Sequence, residues 1–357
     1  MNFNDVYSNY EIDGRYDNLI KESEKELENL FRRYEEVAEY NQMKVMKAFN
    51  ENSLQSSDFF TATGYGYADT GRDKVEAIFS SIFKAEDSLV RPSIVSGTHA
   101  LSIVLFSLLN YGDKLVSITD DPYDTMQQVI EIAGDKKGTL IEKGVVYDKL
   151  DLDENNKIQY EKIKDKVDQN TKVVLIQKST GYTERRAFTI DEIEEAIREI
   201  RKISKDVIIF IDNCYGEFTE DKEPIEVGAD IVAGSLIKNL GGGLAITGGY
   251  ISGREDLIEY CSNTLTAPGI GKDEGLSFGT NRLVVEGLYF APHVVKEALK
   301  VALLFASVFN KLGYEVTPKL DDPRSDVILA IKLNDPEKLK TFCKAIQEAC
   351  TVDSTFV

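Results

Sequence analysis

From residue 17 to about residue 49, Leu19, Ile20, Leu27, Leu30, Phe31, Tyr34, Val37 and Ala38 return at helical intervals among dense charges, which predicts one long amphipathic helix. A polar stretch, 50–58, ends it and leads into Thr63-Gly64-Tyr65-Gly66-Tyr67, a glycine- and tyrosine-rich segment. Such a loop reaches towards a ligand or a neighbouring subunit, or forms an ordinary turn. The period then changes. Residues 115–119, 173–177, 207–211 and 231–233 are apolar runs too short for buried helices, and they read as strands of a buried parallel sheet. Between the second and third, Thr189-Ile190-Asp191-Glu192 forms a capping box, and Ile193, Ala196, Ile197, Ile200 and Ile203 make one stripe. Strand, helix and strand in that order imply a right-handed crossover, so the middle of the chain is expected to be a doubly wound α/β layer. Its ligand crevice lies at the carboxyl ends of the strands. From about residue 251 longer helices and the segment 326–333 suggest a smaller α+β unit. The expected division is a helix and arm over 1–70, a large α/β domain over 71–250, and a small domain over 251–357.

Charge narrows the function. The 357 residues hold 42 Lys and Arg against 61 Asp and Glu, a formal charge of −19. That surface repels phosphate backbones and anionic lipid, so nucleic acid and membranes are excluded as expected partners and a small-molecule substrate is favoured. No apolar run approaches the roughly 18 residues of a membrane span. The start, Met1-Asn2-Phe3-Asn4-Asp5, lacks the regions of a signal peptide, so a cytoplasmic location is expected. Cys214, Cys261, Cys343 and Cys350 lack the paired spacing of a zinc site and read as free buried thiols. His99 and His293 are the only histidines, which excludes a His-rich metal cluster.

Three features fall at strand ends or helix starts. Ser96-Gly97-Thr98-His99 opens the apolar helix 100–109, and small residues there leave N–H groups open to an anion; the same pattern is also a common N-cap. Asp212 directly follows the strand 207–211. There a carboxylate enters the crevice and needs a cation or a protonated ring nitrogen, or else it caps a turn. Lys238, in Gly234-Ser235-Leu236-Ile237-Lys238-Asn239-Leu240-Gly241-Gly242-Gly243, is a lysine in an apolar, glycine-rich setting, which a covalent modification would explain. The order of glycines and lysine fits neither a P-loop nor a dinucleotide fingerprint.

A phosphate cradle, a strand-end aspartate and a lysine three residues after a serine suit pyridoxal 5'-phosphate. On these residues the chain resembles the fold-type I pyridoxal-phosphate enzymes, with the aspartate aminotransferase fold. Within them it is similar to the cysteine and methionine metabolism group and its methionine gamma-lyase-like, aluminium resistance family. The similarity runs from about Tyr34 to Ser354. It is strongest at Gly64-Tyr65-Gly66-Tyr67 with Gly71-Arg72-Asp73, at Val90-Arg91-Pro92 with Val95 to Ala100, and at Asp212 to Phe218. Ala233 to Asn239 and Leu265 to Gly271 complete the set.

The resemblance implies that Lys238 forms the Schiff base and then moves the substrate's α-proton, a task suited to an amine of lowered pKa. It implies that Asp212 keeps the ring nitrogen protonated, and that Tyr123, 26 residues beyond Gly97, stacks on the ring. Gly97 and Thr98, with Ser96 and Ser235, would hold the phosphate. Tyr67 and Tyr65 would complete a neighbouring subunit's site in a homodimer or homotetramer. His99 reads as a structural helix residue, and Ser179 as a candidate lining residue. Thr180 stands where the family has arginine and Leu240 where it has proline. Family members are expected to continue several dozen residues beyond Ser354 and to supply an arginine for the substrate carboxylate. Because the sequence stops at Val357, either the chain is incomplete or it holds cofactor with poor turnover. The reading favoured is a carbon-sulfur lyase acting on methionine, cystathionine or cysteine by β- or γ-elimination. An aminotransferase, other α-carbon chemistry, or a silent cofactor-binding protein stand as alternatives.

Overall fold

The charged, leucine-spaced N-terminal pattern does form a helix, α1 (Gly14–Glu51), which buries Leu27, Val45 and Ala48 and packs along α8 (Asn281–Lys311). The structure is a computed structural model that describes residues 14–135 and 137–356. Residues 1–5, read above for a signal peptide, lie outside the described residues. No helix among the described residues is long and apolar enough to cross a membrane.

After α2 (Thr70–Phe83) comes β1 (Asp87–Arg91), and α3 (Gly97–Leu108) leads to β2 (Lys114–Ser117). Next are α4 (Asp124–Ile130), β3 (Val146–Lys149), the single turn α5 (Ile163–Lys166), β4 (Thr171–Gln177) and α6 (Ile190–Ile203). The sheet is completed by β5 (Ile208–Asp212), β6 (Ile231–Ser235) and β7 (Gly249–Gly253). The spatial order is β1-β7-β6-β5-β4-β2-β3, and only β7 runs antiparallel to its neighbours. All four strands expected from apolar runs are present and run parallel to one another. Alternate residues point to opposite faces. Val174, Ile176, Ile209, Ile211 and Val232 pack against α2, α6 and α8, whereas Val173, Leu175, Ile208, Phe210 and Ile231 pack against α3, α4 and α7 (Glu255–Leu265). Helices therefore cover both faces, which is why these strands carry no polar alternation. The capping box at Thr189 is formed, and Ile190, Ile193, Ala196, Ile197 and Ile200 are buried behind it.

The C-terminal part adds β8 (Glu315–Thr317), paired antiparallel with β9 (Ala330–Lys332), and α9 (Pro336–Ala349). A division at 250/251 passes through β7, which pairs along its whole length with β1 and β6. The thiols need correction: Cys214 and Cys261 are buried, but Cys343 and Cys350 are exposed. They lie on and just after α9, a helix with no buried side chain.

Candidate active site

Because β1, β2, β4, β5 and β6 run in one direction, their carboxyl ends share one edge of the sheet. Gln177 stands beside Asp212, Asp212 beside Ala233, and Ser235 and Arg91 both face Gly249. The segments that follow these strands meet there, and they carry most of the residues expected to hold chemistry.

Ser96 caps α3 by accepting the His99 N–H at 3.1 Å, and the His99 Nδ1 accepts the Val95 N–H at 3.1 Å. The N–H groups of Gly97 and Thr98 meet no protein acceptor among the described residues, so the cap and an anion site coexist at this helix start. Gly97 is closely packed. A Cβ there would lie 3.1 Å from Cys214 Sγ and 3.4 Å from Ser235 Cβ, so its absence lets the helix start sit against the ends of β5 and β6. Ser235 is buried, and its hydroxyl accepts the Ile237 N–H at 3.3 Å.

Asp212 is buried at the end of β5, with Oδ1 accepting the Cys214 N–H at 3.1 Å. Burial pushes its pKa up, against the pull of Lys238, the Cys214 N–H and Arg185. The protein alone undercompensates this charge, and a protonated ring nitrogen would match it. Lys238 is half-buried, and its Nζ sits 3.9 Å from the centroid of the Tyr215 ring. Burial pulls the amine down, but Cys214, Asp212, Tyr215 and Glu217 together outweigh it and leave the pKa above its ordinary value. The direction is thus the reverse of the lowered value expected from sequence, because acidic groups crowd the end of β5. Tyr123 is half-buried. Its hydroxyl shares a hydrogen bond of 2.8 Å with Thr98 Oγ1, and its N–H donates to Gln177 Oε1 at 2.8 Å. Burial, then the charge of Asp212, push its phenol up, so the hydroxyl stays protonated.

Tyr65 and Tyr67 lie apart from this cluster. Their exposed rings are 5.9 Å from each other, and the Tyr67 hydroxyl donates to the Glu274 carboxylate. No hydrogen bond or ring contact among the described residues joins either to Lys238, Asp212 or Tyr123. Ser179 is buried and Thr180 donates its N–H to Asp326 Oδ2 at 2.9 Å.

Several residues that shape the site escaped the sequence reading. Glu217 is fully buried, accepts the Tyr250 hydroxyl at 2.9 Å, and uses its backbone carbonyl to hold Asn239 Nδ2 at 2.9 Å, next to Lys238. Burial pushes this carboxyl to about 8. Buried Lys178 donates to Gly216 O at 3.0 Å, Thr219 Oγ1 at 3.2 Å and Ser325 O at 3.1 Å. Arg185 donates to the carbonyls of Gln177 and Ser179 at 3.1 and 2.6 Å, and burial pulls it down to about 10. An acid inside Tyr215-Gly216-Glu217-Phe218 was a readable anomaly. Nothing local distinguishes Arg185 from Arg186.

A strand-end acid, an amine on the next strand's loop and an open helix start, on this sheet order, define the fold-type I pyridoxal-phosphate-dependent class. The chain belongs to the methionine gamma-lyase family, whose model matches residues 16–357. The uncharacterized protein YnbB of Bacillus subtilis (strain 168) is 43% identical over 334 residues, 93% of this chain and 79% of that protein. The solved structure of a carbon-sulfur lyase involved in aluminum resistance from Clostridium novyi NT is 44% identical. Its TM-score is 0.95, and the match covers 99% of this chain and 84% of that one. The pyridoxal-5'-phosphate dependent protein YhfS from Escherichia coli is 18% identical with a TM-score of 0.64, covering 88% of this chain and 80% of that one, a likeness of fold. The residues present fit that cofactor: Gly97 leaves the space, two N–H groups stand open, and Asp212 lacks full compensation.

Proposed function

We propose that this chain is a pyridoxal-phosphate-dependent carbon-sulfur lyase acting on a sulfur amino acid of the methionine, cystathionine or cysteine type. The observation that carries the reading is the meeting of Asp212, Lys238 and the open N–H groups of Gly97 and Thr98 at one sheet edge. Bound pyridoxal phosphate supplies an electron sink for the charge left when the α-proton departs. Lys238 would hold its aldehyde carbon covalently, and Asp212 would face its ring nitrogen. Gly97, Thr98, Ser96 and Ser235 would hold its phosphate, and the Tyr123 ring would lie over it. Freed from that bond, the Lys238 amine would take the substrate's α-proton. Sulfur would leave with its bonding electron pair as a thiolate, from the β-carbon directly or from the γ-carbon once a β-proton has also been removed, and water would hydrolyse the resulting enamine to ammonia and a keto acid.

We infer also that the working form is a homodimer or homotetramer. Phe60, Tyr65, Tyr67 and Phe278 are exposed on adjoining loops that the Gly275 N–H joins to the Tyr65 carbonyl, and their exposed apolar area supports self-association. Light scattering that finds only monomer at micromolar concentration would remove this part of the reading.

The lyase is tested by adding cofactor with each candidate amino acid and assaying keto acid and thiol, with borohydride reduction to tag the Lys238 peptide. A tag on Lys238 and paired release of both products are expected. No tag refutes the cofactor assignment, and a tag without thiol refutes the lyase.

A further inference from the structure

Tyr215 occupies a backbone position that tyrosine disfavours. The Gly216 N–H closes a turn on the Asn213 carbonyl at 2.9 Å, and Tyr215, the third residue of that turn, has φ 68°. Glycine or asparagine is usual there, because a Cβ crowds the neighbouring carbonyl. Strained residues persist where surrounding contacts over-determine them. Here the turn is fixed from below by Lys178, whose ammonium donates to the Gly216 carbonyl at 3.0 Å. It is packed so closely that a Cβ on Gly216 would lie 2.7 Å from Lys178 Cδ. The strained backbone delivers one contact of consequence: the Lys238 ammonium over the ring face, 3.9 Å from its centroid.

We propose that the ring face of Tyr215 is a cation-holding surface that positions the Lys238 amine, keeping it at the edge of the sheet whenever it is not bonded to the cofactor. Its catalytic consequence rests on the lyase reading, but the contact joins two residues of this chain. The titratable groups acting most strongly on the amine are Cys214, Asp212, Tyr215 and Glu217, all from the end of β5 and the segment after it. Among them only Tyr215 is in ring contact with Lys238, so its removal isolates one interaction.

The test is the pH dependence of Lys238 acetylation by acetic anhydride, read by peptide mass spectrometry on the full-length chain after any bound cofactor is released with hydroxylamine and dialysed away. Wild type is compared with Y215F, which keeps the face, and with Y215L and Y215G, which lose it. Y215G also relieves the left-handed strain and so covers any failure of Y215L to fold. The expected result is a midpoint lowered by about 0.4 to 1.5 pH in both Leu and Gly variants and unchanged in Y215F, the range of a cation–π contact. Equal midpoints in all four proteins, or a fall in Y215F matching Y215L, would overturn the proposal, the latter by assigning the effect to the hydroxyl. Cofactor absorbance of the same wild-type preparation reports separately on the lyase reading.

Discussion

Asp212, Glu217, Glu223 and Asp326 are buried carboxyls, each pushed up chiefly by burial. For Glu217, whose value moves from 4.5 to about 8, the folded state keeps a proton that the unfolded chain has released throughout that window. Stability is therefore present below about pH 4.5 and declines as pH rises through about 8. Glu217→Gln keeps an acceptor for Tyr250 and removes the titration. Its unfolding free energy should fall less steeply over that window, by up to about 1.4 kcal/mol per pH unit. Urea unfolding at a series of pH values checks this, and parallel profiles for variant and wild type would contradict it. Asp212→Asn keeps the shape and removes the charge, so turnover should drop by about 10- to 150-fold, the worth of a hydrogen bond to a charged group. Steady-state assay with saturating cofactor measures it. Asp212 and Lys238 were legible because each interrupts or follows an apolar run. Lys178 and Arg185 were not, since their burial depends on carbonyls that only the tertiary fold brings to them.

At the scale of elements, α3 and α6 begin with similar cap chemistry and serve different ends. Thr189→Ala removes a cap remote from Lys238 and should cost about 1 kcal/mol of stability with cofactor affinity unchanged. Gly97→Ala adds a Cβ 3.1 Å from Cys214 Sγ and 3.4 Å from Ser235 Cβ, so the helix start or these side chains must shift by a few tenths of an ångström. Its cofactor affinity should weaken about tenfold or more, equivalent to about 1.4 kcal/mol, in an absorbance titration. Equal loss of affinity in both variants would show that α3 has no special part in the site. Capping boxes and buried runs were readable because they are local. The strand β7 was not, because Gly-Tyr-Ile-Ser-Gly offers no run. Its glycines answer to packing: a Cβ on Gly249 would lie 2.5 Å from Ile94 Cγ2, and one on Gly253 2.4 Å from the Asp230 carbonyl. Tyr250 between them is buried, its ring stacked 5.1 Å from that of Phe83.

Across the whole molecule, the sheet edge that carries the site is tied to the C-terminal part by contacts that no local pattern announces, two of them from the segment after β4. Lys178 reaches the Ser325 carbonyl across 147 positions, and the Thr180 N–H reaches Asp326 across 146. The change of pattern near residue 251 was legible as a second unit, but which loops join it to the first was not. Asp326 holds two backbone donors, Thr180 through Oδ2 at 2.9 Å and Ile328 through Oδ1 at 3.1 Å. The Thr180 segment is also the one whose carbonyls Arg185 gathers, and Gln177 at its start holds the backbone of Tyr123. Strain or loosening at Asp326 should therefore reach Tyr123 through three consecutive contacts. Asp326→Ala leaves both donors without their acceptor, at a cost of about 1 to 3 kcal/mol each if water does not reach them. The expected outcome is a loss of about 2 kcal/mol or more in urea unfolding, with faster hydrogen exchange in the peptide spanning residues 177–188. Weaker cofactor binding should accompany it while Lys238 remains competent for borohydride tagging. Loss of stability with unchanged exchange in that peptide would show that the C-terminal part is held elsewhere and that the latch does not act on the site.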